Sequence, residues 1–135
     1  MSLLSNQAIE FRRAYSIPND LSLRTTQKNL IVEEFKEFLQ ADLEMALMHP
    51  PDREACLKEL ADLVYVCAQY AENMDWDLEQ ALRRVHKSNM SKLGNDGKPV
   101  KRKDGKVLKG PNYQPPDLAD CLPQPQLNYY DTNGK

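Results

Sequence analysis

No apolar run in this chain reaches the roughly 18 residues that a bilayer-spanning helix requires. The longest near-unbroken stretch, Leu63 to Ala68, has six, so no membrane segment is expected. The opening MSLLSNQAIEF lacks a basic stretch ahead of an apolar one, and a signal peptide is not expected either. Cysteine is scarce and odd in number: Cys56, Cys67 and Cys121. The first two fall in one helical pattern, too far apart at about 1.5 Å per residue to bridge. They read as reduced residues in a cytosol-like compartment. With two histidines and no CxxC pair, a structural zinc site is not expected. Charge of one sign is also missing overall. The formal net charge is −2, with 28% charged and 41% hydrophobic residues. That excludes a uniformly basic binder of nucleic acid polymers and a polyacidic disordered chain. At 135 residues one domain is expected, and no repeat of solenoid length is present.

Proline divides the chain. Three of the nine prolines (Pro18, Pro50, Pro51) punctuate the first two-thirds, and the other six lie beyond residue 98. Periodicity predicts four helices, over about residues 4–14, 23–48, 52–73 and 77–93. The turn Ile17-Pro18-Asn19-Asp20 ends the first, and His49-Pro50-Pro51 ends the second. Asp77 with Gln80 three residues on resembles a capping box, and Gly94 closes the last helix. Two Asp-Gly pairs in residues 95–110 leave two readings open, a β-hairpin or a basic flexible loop. The expectation is an all-α, four-helix domain over residues 1–118 with a basic, loop-rich C-terminal segment. Residues 119–135 read as a poorly ordered tail.

Charge is segregated. Residues 30–79 hold thirteen acids and three bases, and residues 87–109 hold eight bases and two acids. Opposite solvated faces would explain this, so the positions of the acids decide. On the third helix Leu57, Leu60, Leu63, Val64, Cys67 and Ala71 form an apolar arc. Glu59 projects inside it and Asp62 lies at its edge. On the second, Leu30, Ile31, Phe35 and Phe38 form the apolar face. Glu34 falls within that face, Glu37 lies one turn on, and Glu33 lies just outside. Carboxylates on a packed surface need compensation. Two i, i+3 pairs, Glu34/Glu37 and Glu59/Asp62, would converge if the helices pack antiparallel, and four unpaired anions could not all stay ionised there. Divalent cations with oxygen ligands resolve the conflict, with Mg²⁺ or Mn²⁺ fitting best and two or more ions expected.

An acidic metal site followed by basic residues suits a polyphosphate. Asn89 and Lys92 replace apolar residues at the inward spacing of Leu78, Leu82 and Val85. Lys109 and Tyr113 follow in a Gly/Pro-rich segment that could close over the site. Trp76 reads either as a base-stacking residue or as packing. Asp20, the only acid in its turn, either caps the second helix or accepts the N1–H and N2 amine of guanine.

The runs I-V-E-E-F-K-E-F at 31–38 and K-E-L-A-D-L-V-Y-V at 58–66 resemble the core of the all-α nucleotide pyrophosphohydrolases of the MazG/HisE-like superfamily. V-H-K-S-N-M-S-K-L at 85–93 and D-G-K-V-L-K-G-P-N-Y-Q-P-P-D-L at 104–118 resemble its phosphoribosyl-ATP pyrophosphohydrolase-like subgroup. The resemblance covers about residues 7–118. Two positions depart from it: Arg12 stands where the family has His, and Cys67-Ala68-Gln69-Tyr70 replaces a small, glycine-containing stretch.

The resemblance implies hydrolysis of a nucleoside triphosphate between its α- and β-phosphates. By match of position, Glu34, Glu37, Glu59 and Asp62 hold Mg²⁺ or Mn²⁺. Glu33 orients or deprotonates the attacking water, and Asn89, Lys92, Lys109 and Tyr113 contact phosphates and sugar. The compact length suits a phage MazZ-type enzyme that turns dGTP into dGMP, working in the host cytoplasm. Phosphoribosyl-ATP, dUTP and dCTP are alternative substrates, and a non-catalytic helical interaction module is the alternative of another class. A homo-oligomer, dimer or tetramer, is expected from the width of the third helix's apolar arc.

Overall fold

The hydroxyl of Ser2 opens the first helix by accepting the Ser5 N–H at 3.3 Å, filling one of the donors that a helix start leaves unpaired. In the computed structural model, which describes residues 2–123, α1 spans Leu3–Ala14, α2 Arg24–Leu47, α3 Arg53–Asn73 and α4 Leu78–Met90. These are the four helices that the periodicity predicts. Asp52 and Asp77 cap α3 and α4 through the N–H groups of Ala55, at 2.9 Å, and Gln80, at 3.0 Å. Both α1 and α3 stop in one way. Ser16 and Asp75 take left-handed backbone (φ 55° and 56°). The Ile17 and Trp76 N–H groups then fold back onto the Arg12 and Ala71 carbonyls at 2.8 and 2.9 Å, the Schellman ending.

The described residues fall into two compact units, divided between Trp76 and Asp77. In the first, α2 packs along α3, and α1 packs on α3 as well. Only residues 48–52 join α2 to α3, which makes the two antiparallel. Asp20, ahead of α2, is accordingly bonded to Asn73, the last residue of α3.

What this unit buries is small or polar: Ala8, Cys56, Ala68 and Ala71 with Arg12, Gln27, Gln69 and Asn73. Periodicity places Phe35, Leu57, Leu60 and Val64 on core-facing arcs, and the structure differs there. Phe35 is 48% exposed, Leu57 65%, Leu60 42% and Val64 45%. Amphipathic spacing identifies an apolar face but not what covers it. Trp76 meets Tyr70 edge-on, with ring centroids 5.7 Å apart, and is a packing residue on this evidence.

In the second unit Asp104-Gly105 turns a hairpin, β1 (Val100–Lys101) and β2 (Val107–Leu108), while Asp96-Gly97 lies in a separate turn ahead of β1. The strands pair antiparallel with Val100 opposite Leu108. The inward face of α4 is not the predicted one: Leu82 and Val85 are exposed and Ser88 is buried. The Ser88 hydroxyl donates to the Gln114 carbonyl at 2.7 Å, so the C-terminal segment rather than an apolar partner covers α4 here. Ala119–Cys121 forms a 3-10 turn, Arg84 pairs with Asp120, and the Asp77 N–H bonds to the Cys121 carbonyl at 2.8 Å. The rest of the predicted tail, residues 124–135, lies outside the described residues. All three cysteines are free. Among the described residues no helix is long and apolar enough to cross a membrane.

Candidate active site

Antiparallel packing sets Glu34 of α2 against Glu59 and Asp62 of α3, and one carboxylate oxygen from each lies within 4.8 Å of the others. Glu37, one turn beyond Glu34, is exposed and lies outside this cluster, although its charge still acts on Glu34. The acids pay for this proximity in proton affinity. Burial first, then Glu37, then the charges of Asp62 and Glu59 push the Glu34 carboxyl up to about 7.

Lys58 answers part of the charge. Its ammonium lies 2.7 Å from Asp62 Oδ2 and 3.2 Å from Glu59 Oε1, and those bonds raise its own proton affinity. Pairing with lysine is the ordinary fate of helix-surface acids. Here it is incomplete, because Glu34 Oε2 and Glu59 Oε2 are buried with no hydrogen-bond partner among the described residues. Two orphaned carboxylate oxygens in an all-oxygen donor set fit a hard divalent cation.

A pH dependence follows. Glu34 takes its proton more readily in the folded chain than its ordinary value of 4.5 allows. The folded state therefore binds the extra proton. This carboxyl contributes stability that is complete below about 4.5 and lost as pH rises through about 7. The metal-free protein is expected to melt lower at pH 8 than at pH 5.5, with Mn²⁺ raising the melting temperature most at pH 8. A Mn²⁺ effect independent of pH across that interval would contradict the assignment of Glu34.

The remaining candidates divide between the units. Glu33 is exposed on α2, next to Glu34 but outside the cluster. Asp20 is exposed and caps the 3-10 turn Leu21–Leu23, accepting the Ser22 N–H at 2.9 Å. That bond and the Ser22 hydroxyl hold its carboxyl below the ordinary range.

In the second unit the hairpin's exit crosses the end of α4. The Gly110 N–H donates to the Lys92 carbonyl at 2.9 Å. A Cβ at Gly110 would stand 2.5 Å from that oxygen, so the crossing requires glycine. Lys109 lies over the Tyr113 ring, 4.8 Å from its centroid, a cation–π contact. Lys92, Lys109 and Tyr113 thus share one end of this unit, while Asn89 is exposed one turn before Lys92.

The phosphoribosyl-ATP pyrophosphohydrolase family matches residues 9–89, which takes in the acid-bearing helices α2 and α3. The chain belongs to that family. It is therefore a nucleotide pyrophosphohydrolase of the MazG-like all-α superfamily, a group whose enzymes typically use divalent metals. No curated protein matches the chain.

Two features of the site are not evident from the sequence pattern. Lys58 precedes Glu59 and lies four residues before Asp62, an i, i+4 spacing that marks a helix ion pair. The other is a buried polar network on Arg12. Its guanidinium donates to Asn19 Oδ1, Gln69 Oε1, Asn73 Oδ1 and the Pro18 carbonyl at 2.7–3.1 Å. The only sequence sign of it is the arginine in a histidine's place.

Proposed function

We propose that residues 1–118 hydrolyse a (deoxy)nucleoside triphosphate between its α- and β-phosphates, giving the monophosphate and pyrophosphate. The observation that carries this is the pair of orphaned, buried oxygens on Glu34 and Glu59 within the acidic cluster. Glu34, Glu37, Glu59 and Asp62 hold two or more Mg²⁺ or Mn²⁺ ions. When bound, such ions would neutralise the phosphates and polarise the phosphoryl group whose phosphorus is attacked. Glu33 accepts a proton from the attacking water as its oxygen joins phosphorus. The bond between the α-phosphorus and the bridging oxygen breaks, and the leaving pyrophosphate takes the electron pair. Lys92 and Lys109 meet the phosphates as point charges, with Asn89 and Tyr113 at phosphate and sugar. The free cysteines suit a reducing compartment, the cytoplasm.

A panel of nucleotides with Mg²⁺ or Mn²⁺, both products being identified, tests the reaction. Release of orthophosphate, or no release at all, would overturn it. For the base we favour guanine, giving (d)GTP to (d)GMP, with phosphoribosyl-ATP, dUTP and dCTP as competitors in the same panel. The Asp20 carboxylate is exposed in a turn that Asn73 ties to α3, and a carboxylate accepts both N1–H and the N2 amine of guanine. Asp20→Asn is expected to erase a guanine preference without loss of metal binding. A preference that survives it would discard Asp20 as the reader.

We further propose that the chain works as a homo-oligomer, a dimer or tetramer. Val32, Phe35, Leu39 and Leu43 on α2 and Leu57, Leu60 and Val64 on α3 are all more than two-fifths exposed. They recur at spacings of three and four, which makes continuous stripes on two adjacent helices. A second copy presents the same stripes and can cover them. Sedimentation giving a 15.5 kDa monomer at micromolar concentration would refute this.

A further inference from the structure

Two glutamines stand on the α2–α3 seam at matched distances from the carboxylates. Gln27 lies seven residues before Glu34, and Gln69 lies seven residues after Asp62. Seven residues are two turns, so each glutamine shares the face of its carboxylate. Because the helices are antiparallel, both are displaced in the same direction along the seam. That offset, about 10 Å at 1.5 Å per residue, is the reach of one nucleoside from its 5′-phosphate to the edge of its base.

Both side chains are more than nine-tenths buried, Gln27 at 6% exposure and Gln69 at 4%. Each leaves one amide atom without a partner among the described residues: the acceptor Gln27 Oε1 and the donor Gln69 Nε2. Buried polar atoms are nearly always paired, and those that are not mark a site for something else. The orientation of Gln69 is fixed chemically. Arg12 Nη1 donates to Gln69 Oε1 at 3.1 Å. A guanidinium has no acceptor, so only the amide oxygen can face it and the NH₂ must turn away. Arg12 is itself buried at 3% exposure and held by Asn73 Oδ1 at 2.8 Å.

We propose that Gln27 and Gln69 read the edge of the nucleobase. Gln69 Nε2 donates to a ring nitrogen or carbonyl oxygen, Gln27 Oε1 accepts from an adjacent N–H hydrogen that Asp20 does not engage, and Arg12 is the positioning residue that aims the Gln69 donor. The ligand is a heterocycle that presents an acceptor beside a donor. This inference rests on the nucleotide reading given above.

Gln69→Glu tests it, because the change keeps an oxygen toward Arg12 and replaces the free donor with an acceptor at equal volume. The Mn²⁺-loaded protein is titrated calorimetrically with the monophosphates of adenosine, guanosine, cytidine and uridine, and with inorganic tripolyphosphate as a base-free probe. The nucleotide that the wild type binds best should bind the variant tenfold or more weakly, the order expected when a buried partner is left unmatched. Tripolyphosphate affinity should stay within about twofold, as the phosphate site is untouched. Gln27→Met should act in the same way, and it reports alone if Gln69→Glu does not fold.

Equal losses for nucleotide and tripolyphosphate, or no loss for either, would show that the amides only pack or hold water. A wild type that binds tripolyphosphate yet no nucleotide more tightly overturns base reading and leaves the phosphate site standing. One that binds neither overturns the proposed function together with this inference.

Discussion

Glu34→Gln and Glu59→Gln variants fold as helices and release no pyrophosphate. Each change removes one anionic oxygen ligand and none of its volume, so packing along α2 and α3 is kept while the charge that attracts a divalent cation falls. Both residues carry a buried oxygen with no partner among the described residues, the position where a lost ligand has no protein substitute. The expected loss of turnover is on the order of 10³-fold or more, about 4 kcal/mol of transition-state stabilisation. The Mn²⁺-induced rise in melting temperature should shrink in parallel, since a ligand stabilises only through its binding to the folded state. Glu54→Gln serves as the control: it lies exposed in the first turn of the same helix, outside the cluster, and should leave turnover unchanged. Wild-type turnover in either cluster variant would remove the metal assignment.

The acidic centre was legible because charge on an apolar helix face is conspicuous. Glu34 among Leu30, Phe35 and Phe38, and Glu59 among Val66 and Tyr70, break a hydrophobic pattern at i, i+3 spacing on two helices. A five-residue connection then forces those helices together. Helix starts were legible for a related reason, in that Asp52 and Asp77 cap through their own side chains. The hairpin was only half legible. Asp104-Gly105 fixes its turn, but strands of two residues leave almost no alternation to read.

Neutral polar residues carried no such signal. Gln27 and Gln69 repeat the phase of Glu34 and Asp62 two turns away, yet an amide on a helix reads as surface until its burial is seen. The exposure of the stripe from Val32 to Leu43 was not legible for the converse reason: hydrophobic spacing marks an apolar face on α2 without showing what covers it. Lys58 was obscured because its exposed stem places it with the solvent-facing residues, although its ammonium reaches two carboxylates of the site.

Arg12→Met is expected to destabilise the protein by about 3–5 kcal/mol, from several lost hydrogen bonds to a charged donor and buried acceptors left unmatched. That is a large share of the roughly 5–15 kcal/mol that holds a domain of this size. The guanidinium serves four acceptors on two elements: Asn19 Oδ1 at 2.7 Å and the Pro18 carbonyl at 2.7 Å in the α1–α2 turn, Gln69 Oε1 at 3.1 Å and Asn73 Oδ1 at 2.8 Å on α3. Methionine fills the stem's volume and leaves the buried acceptors unmatched. Burial lowers the proton affinity of Arg12, and Glu72 opposes that shift, so the side chain keeps its charge. Glu72 itself accepts from Asn19 Nδ2 at 2.9 Å, which closes the network around the turn. Lysine in place of Arg12 keeps the charge but offers three tetrahedral donors to acceptors arranged for a planar fork. Arg12→Lys should therefore recover only part of the loss. Urea unfolding of the three proteins measures both steps. A methionine variant within about 0.5 kcal/mol of wild type, the size of an ordinary surface substitution, would show that water replaces the guanidinium at no cost and that the turn is held by its backbone alone.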